Sequence, residues 1–129
     1  AFADTQFGNQ PQTISYECIP SVVSFFPEAA TVGLSEAKAR EKIGDFLRCD
    51  RSEFRPLFHS LAKREEKVLI KLVVDSTTER VLGIHMVGLG AIEIVQCLAL
   101  PLRMGATKKD FDATIGIHPS VAEEFFALV

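Results

Sequence analysis

His118, Ser120, Glu123 and Glu124 lie close together in the segment FDATIGIHPSVAEEFFALV, residues 111–129. An imidazole gives and takes protons near neutral pH, and a neighbouring carboxylate can fix its tautomer and stabilise its charged form. Ser120 with Glu123 three residues on reads as an S-x-x-E capping box, in which hydroxyl and carboxylate each accept a free backbone N–H. The spacing predicts a helix that starts at Ser120, with His118 and Pro119 just outside it and the imidazole within reach of Glu123. The carboxylate raises the histidine pKa and the positive helix end lowers it, opposing influences that suit a group exchanging protons. The same spacing also serves as a plain cap beside a structural histidine, and pattern alone favours that plainer reading.

The elements that must position these residues belong to a chain of 129 residues. That length suits one domain and buries roughly two thirds of the unfolded surface, enough for a proper core. Hydrophobic residues make up 47% and charged residues 24%, and no apolar run approaches the ~20 residues of a membrane span. A net charge of −3 with scattered lysines and arginines argues against nucleic-acid partners and a polybasic membrane patch. Cys18, Cys49 and Cys97 are odd in number and widely spaced, which points to buried thiols in a reducing compartment rather than a disulfide framework. The N-terminus, AFADTQFGNQPQ, lacks the basic and apolar regions of a signal peptide and reads as the cut end of a longer chain, with a helix ending near Gly8.

Along the chain, residues 13–26 read as extended chain broken at Pro20, and Thr31–Leu34 as a short apolar bridge. Ser35 caps a helix over EAKAREKI that Gly44 stops. Residues 45–61 read as a strand with an irregular, proline-marked continuation. KVLIKLVV (67–74) and RVLGIHMV (80–87) form a hairpin around the 75–79 loop, with Gly83 marking a bulge or close approach and His85 packed within its strand. Residues 90–104 form a helix apolar on more than one side, hence buried or part of an interface, with Pro101 kinking or shortening its last turn and Gly105 ending it. Thr107 and Asp110 form another cap-like pair. Strands and helices mixed without regular βαβ alternation predict an α+β domain, a largely antiparallel sheet covered by helices. Gly88-Leu89-Gly90 has Glu93 at the sixth fingerprint position, so it reads as a tight turn and not a dinucleotide loop. The histidines and cysteines share no metal-ligand spacing, and no metal is expected.

The segment FDATIGIHPSVAEEF resembles the C-terminal signature of the glutathione reductases, in the pyridine nucleotide-disulfide oxidoreductase family. The likeness extends through FADTQFG, PEAATVGLSEAKA and KLVVDSTTERVLGIHMVGLGAIEIVQ. It is strongest to cyanobacterial and plant forms. It implies a dimerisation domain over residues 13–129, with 1–12 as the remnant of a link to an FAD domain. It also implies a homodimer, FAD and NADPH as cofactors of the whole enzyme, glutathione disulfide as substrate, and the cytoplasm or plastid stroma as compartment. His118 matches the family's acid/base histidine and Glu123 the glutamate that orients it; His118 and Pro119 match positions facing the partner's FAD. Ser120, Glu124 and Leu57 match positions near bound substrate. The domains that carry the cofactors and the redox-active cysteine pair are not in these residues, so the chain alone is expected to bind no cofactor and not to catalyse. The alternative expectation is a stand-alone self-associating domain with no enzymatic activity. Ala127 stands where the family has threonine and Val129 where it has arginine. Cys97 and Pro101 replace a glycine and an alanine on the interface helix, implying altered dimer packing.

Overall fold

The computed structural model describes residues 1–128; Val129, where the family pattern has arginine, lies outside the described residues. Its centre is a five-stranded antiparallel sheet of order β1-β2-β5-β4-β3. β4 (Val68–Asp75) and β5 (Val81–Val87) are the expected hairpin. Asp75 shapes its turn by accepting hydrogen bonds from the Thr77 backbone N–H at 2.9 Å and the Thr78 hydroxyl at 2.8 Å. The register shifts between Val73 and Val74 opposite Gly83, where a Cβ would stand 2.0 Å from the Leu34 carbonyl oxygen. Bulge and close approach therefore coincide at that glycine.

Three expectations are corrected in the first half of the chain. Only Ser21–Val23 of the extended region is a strand, β1, on the sheet edge. The apolar bridge is instead β2 (Ala29–Gly33), paired with both β1 and β5; its small, short sequence carries little strand signal, and non-local pairing decides it. The proline-marked continuation after β3 (Leu47–Phe54) is a helix, α3 (Leu57–Leu61), which begins directly behind Pro56. The N-terminal helix, α1 (Phe2–Gln6), buries no residue.

The pleat divides the sheet into two faces. Val68, Ile70, Leu72, Val74, Ile84, Met86, Ala30 and Val32 point to one face. There they pack with Ala91, Val95, Leu98 and Leu102 of α4 (Ala91–Met104). That spacing is one stripe of an α-helix. Gly105, with φ +81°, closes α4, and the helix continues past Pro101 to Met104. The opposite face is partly covered by α2 (Glu36–Ile43), capped by Ser35, whose hydroxyl accepts the Lys38 N–H at 3.3 Å. Lys71 pairs with Glu36 across this contact. His85 lies between β2 and the start of α2. Its Nε2 donates to the Leu34 carbonyl, its Nδ1 accepts from the Thr31 hydroxyl, and burial lowers its pKa. It is the packed strand residue expected.

The C-terminal segment is held onto the core from two sides. α5 (Lys108–Asp112) carries the full Thr107–Asp110 capping box. The buried Lys108 ammonium donates to the Leu128 carbonyl at 2.6 Å and pairs with Asp112. Phe111 stacks on Phe126 at 5.7 Å between centroids, while Phe125 is fully buried. The helix expected at Ser120 is a correction: the capping box forms, yet the element it leads into is a 3₁₀ turn over Ala122–Phe126. Burial of Phe125 and stacking of Phe126 on Phe111 anchor this turn to the core. The thiols also differ from expectation, since Cys18 and Cys49 are half-buried and Cys97 is exposed on α4; all are free.

Candidate functional site

The C-terminal capping box is what fixes the carboxylate of the site. The Ser120 N–H donates to Glu123 Oε1 at 3.1 Å, and the Glu123 N–H donates to the Ser120 hydroxyl at 3.1 Å. Held in this way, Glu123 faces His118 Nδ1 with both oxygens, at 3.1 and 3.0 Å. The Ser120 N–H chiefly holds the Glu123 carboxyl below its ordinary pKa of 4.5; burial opposes it, and His118 adds to the lowering. A carboxylate only accepts, so Nδ1 carries the hydrogen and Nε2 is left free. The imidazole side chain is 84% exposed and Glu123 only 20%, so a fixed anion supports a solvent-facing ring.

The approach of the chain to this pair depends on Gly116. A Cβ there would stand 2.6 Å from Glu123 Cβ and 3.0 Å from its Cα. Any side chain at this position would push the 114–117 strand of chain away from the box. Gly116 was not singled out by sequence pattern, because the contact it makes is with a residue outside its own turn.

β3 and α3 supply the facing wall. His59 is buried and its Nδ1 donates to the Glu66 carbonyl at 3.0 Å, anchoring one side of α3. Leu57, Phe58 and Leu61 are consequently turned outward, each more than half exposed. Between this wall and the C-terminal segment lies a cavity of about 640 Å³. Its lining includes His118, Pro119, Ser120, Glu123, Glu124 and Leu57, the full set of site residues expected from sequence. Arg55 and Phe58 also line it and were not anticipated. Their only local signal was the FRPLF run, which says nothing about the distant segment it meets. Ala127 instead borders a second, charged cleft beside Arg48, Asp50, Glu79 and Lys108.

The Gly88-Leu89-Gly90 turn is a tight strand-to-helix connection, as expected. At Gly88-Leu89-Gly90, a Cβ on Gly88 would meet Val68 at 2.6 Å, so the turn is packed against β4 instead of opening toward a phosphate. Among the described residues no group of three or more His, Cys, Asp or Glu could hold a metal ion. No described helix is long and apolar enough to cross a membrane.

The α+β domain thus presents an exposed imidazole edge, backed by a hydrogen-bonded carboxylate, beside an open cavity. The sequence match then places it: the chain belongs to the pyridine nucleotide-disulphide oxidoreductase family, whose dimerisation domain matches residues 19–128. The chain is 54% identical over 129 residues to the glutathione reductase of Nostoc sp., covering 99% of this chain and 28% of that protein. It is 48% identical over 128 residues to the glutathione reductase of Burkholderia cepacia, covering 99% and 28%. It is 44% identical over 128 residues to the chloroplastic/mitochondrial glutathione reductase of Pisum sativum, covering 99% and 23%. The chain thus spans about a quarter of the length of these curated relatives.

Proposed function

We propose that this chain is the interface domain of an NADPH- and FAD-dependent glutathione-disulfide reductase. In it, residues 13–129 form the dimerisation unit and residues 1–12 the link to an FAD domain. The observation that carries the reading is the His118–Glu123 pair, set in one cavity with Leu57, Pro119, Ser120 and Glu124. In the homodimer His118 acts at the partner's site, with Pro119 beside the partner's flavin. FAD and NADPH are held by domains outside this chain. The cytoplasm or plastid stroma is the compartment that suits three free thiols.

The chemistry follows from the leaving group. When a thiolate attacks a disulfide, one sulfur departs as a thiolate whose conjugate acid has a pKa of about 8.5. Protonated His118, with Nδ1–H held by Glu123, delivers its Nε2 proton to that sulfur, leaving a neutral ring and a free thiol. Leu57 and Phe58 provide apolar surface, and Ser120 and Glu124 provide polar contacts to a peptide disulfide. His118→Ala in the full-length protein is expected to lower turnover of glutathione disulfide by about 10²–10⁴-fold. Undiminished turnover would refute the assignment.

For the 129 residues alone, a second reading has its own support: a self-associating module without activity. On α4, Cys97, Leu100 and Met104 form an exposed stripe opposite the buried one, a surface suited to a second copy of the domain.

A further inference from the structure

Two of the seven arginines are committed to ion pairs among the described residues. Arg48 is held by Asp50 and Glu79, and Arg40 by Glu36. Arg55, like Arg51, Arg64, Arg80 and Arg103, has no ion-pair partner among the described residues; it is exposed directly after β3 and before the Pro56 that starts α3. It also lines the His118 cavity, where it is the one lysine or arginine among the lining residues. The other charges there are Glu123, already engaged by Ser120 and His118, and Glu124, half-buried and without an ion-pair partner among the described residues.

An anionic substrate entering this cavity meets two carboxylates. Each half of glutathione disulfide carries two carboxylates and one ammonium, so charge alone would repel it from this wall unless a cation offsets them. A guanidinium presents paired donors matched to a carboxylate, and Arg55 has all of its donors free. We propose that Arg55 is a specificity-determining residue that binds a carboxylate of the peptide disulfide, an assignment that rests on the disulfide-reductase reading above. Glu124, across the same cavity, suits the ammonium of the same substrate. Together they select a zwitterionic peptide over a neutral disulfide.

The test uses the full-length protein with NADPH and three disulfides: glutathione disulfide, its glycine diethyl ester, and a neutral aryl disulfide. In wild type, kcat/KM is expected to favour glutathione disulfide, with the preference shrinking as salt rises. Arg55→Gln is expected to raise KM for glutathione disulfide about 10-fold and Arg55→Lys about 3-fold, since lysine keeps the charge without the fork. If the diester already shows the loss in wild type, the glycine carboxylate is the one bound; if it does not, the γ-glutamyl carboxylate is. Equal preference for charged and neutral disulfides in Arg55→Gln and wild type, with dimer mass and circular dichroism unchanged, would overturn the role of Arg55 alone. A wild-type protein unable to reduce glutathione disulfide would overturn the functional reading, and this assignment with it.

Discussion

At the scale of single residues, the proposed chemistry turns on which atom of His118 carries a proton. Glu123 Oε1 accepts the Ser120 N–H, and both carboxylate oxygens face Nδ1. In Glu123→Gln the amide oxygen would keep the Ser120 bond and turn the NH₂ toward Nδ1. Nδ1 would then have to accept, moving the hydrogen to Nε2 and removing the anion that supports a charged ring. Turnover of glutathione disulfide by the full-length variant is expected to fall at least ~10-fold, with KM changing little. The same substitution has a pH signature. The folded Glu123 pKa lies below its ordinary 4.5, so its contribution to stability is present above pH 4.5 and is lost as pH falls through the folded value. Denaturant midpoints followed below pH 4.5 should decline less steeply in Glu123→Gln than in wild type. A slope remains, because Glu36, Asp75 and Asp110 are lowered too, chiefly by Arg40, Thr78 and Thr107 respectively.

At the scale of elements, the site exists because a 3₁₀ turn, a glycine-bearing connection and a short helix meet. Gly116 is the tightest of these junctions. Gly116→Ala is expected to cost about 1–3 kcal/mol, as overpacking does, read from a chemical-denaturation midpoint. It should also lower turnover by displacing Glu123; an alanine variant matching wild type in both would mean the junction gives way freely. Legibility in the sequence followed the range of the interactions. The helix from Glu36 to Ile43 and the β4–β5 hairpin are set by local caps and turn residues, and were readable. The capping box at Ser120 was readable as well, while the 3₁₀ form it leads into and the docking of Phe125 and Phe126 on the core were not. β2, with its Ala-Ala-Thr-Val-Gly sequence, becomes a strand only through pairing on both sides. α3 has no side-chain cap to announce it and is held by His59 inside the fold. The same logic separates the site residues. His118 and Glu123 pair within five positions and could be read from their spacing. Pro119, Glu124 and Leu57 required resemblance to a family, and Arg55, Phe58 and Gly116 were visible only once distant segments met.

At the scale of the whole molecule, the domain presents two unfinished surfaces. One is the His118 cavity, into which the proposed proton donor faces. The other is the outer stripe of α4, with Leu100 and Met104 each more than half exposed. A homodimer relates them if each copy completes the other's site. The central claim is therefore that His118 serves the opposite subunit, and mixed dimers of the full-length protein test it most directly. One subunit would carry His118→Ala with its redox-active cysteines intact; the other would keep His118 and have those cysteines replaced by serine. Each variant alone should be nearly inactive. After random reassortment half the dimers are mixed, and each of these holds one complete site, so about a quarter of wild-type activity should return. Reassortment verified by mass with no recovered activity would contradict the account and leave His118 acting, if at all, within its own subunit.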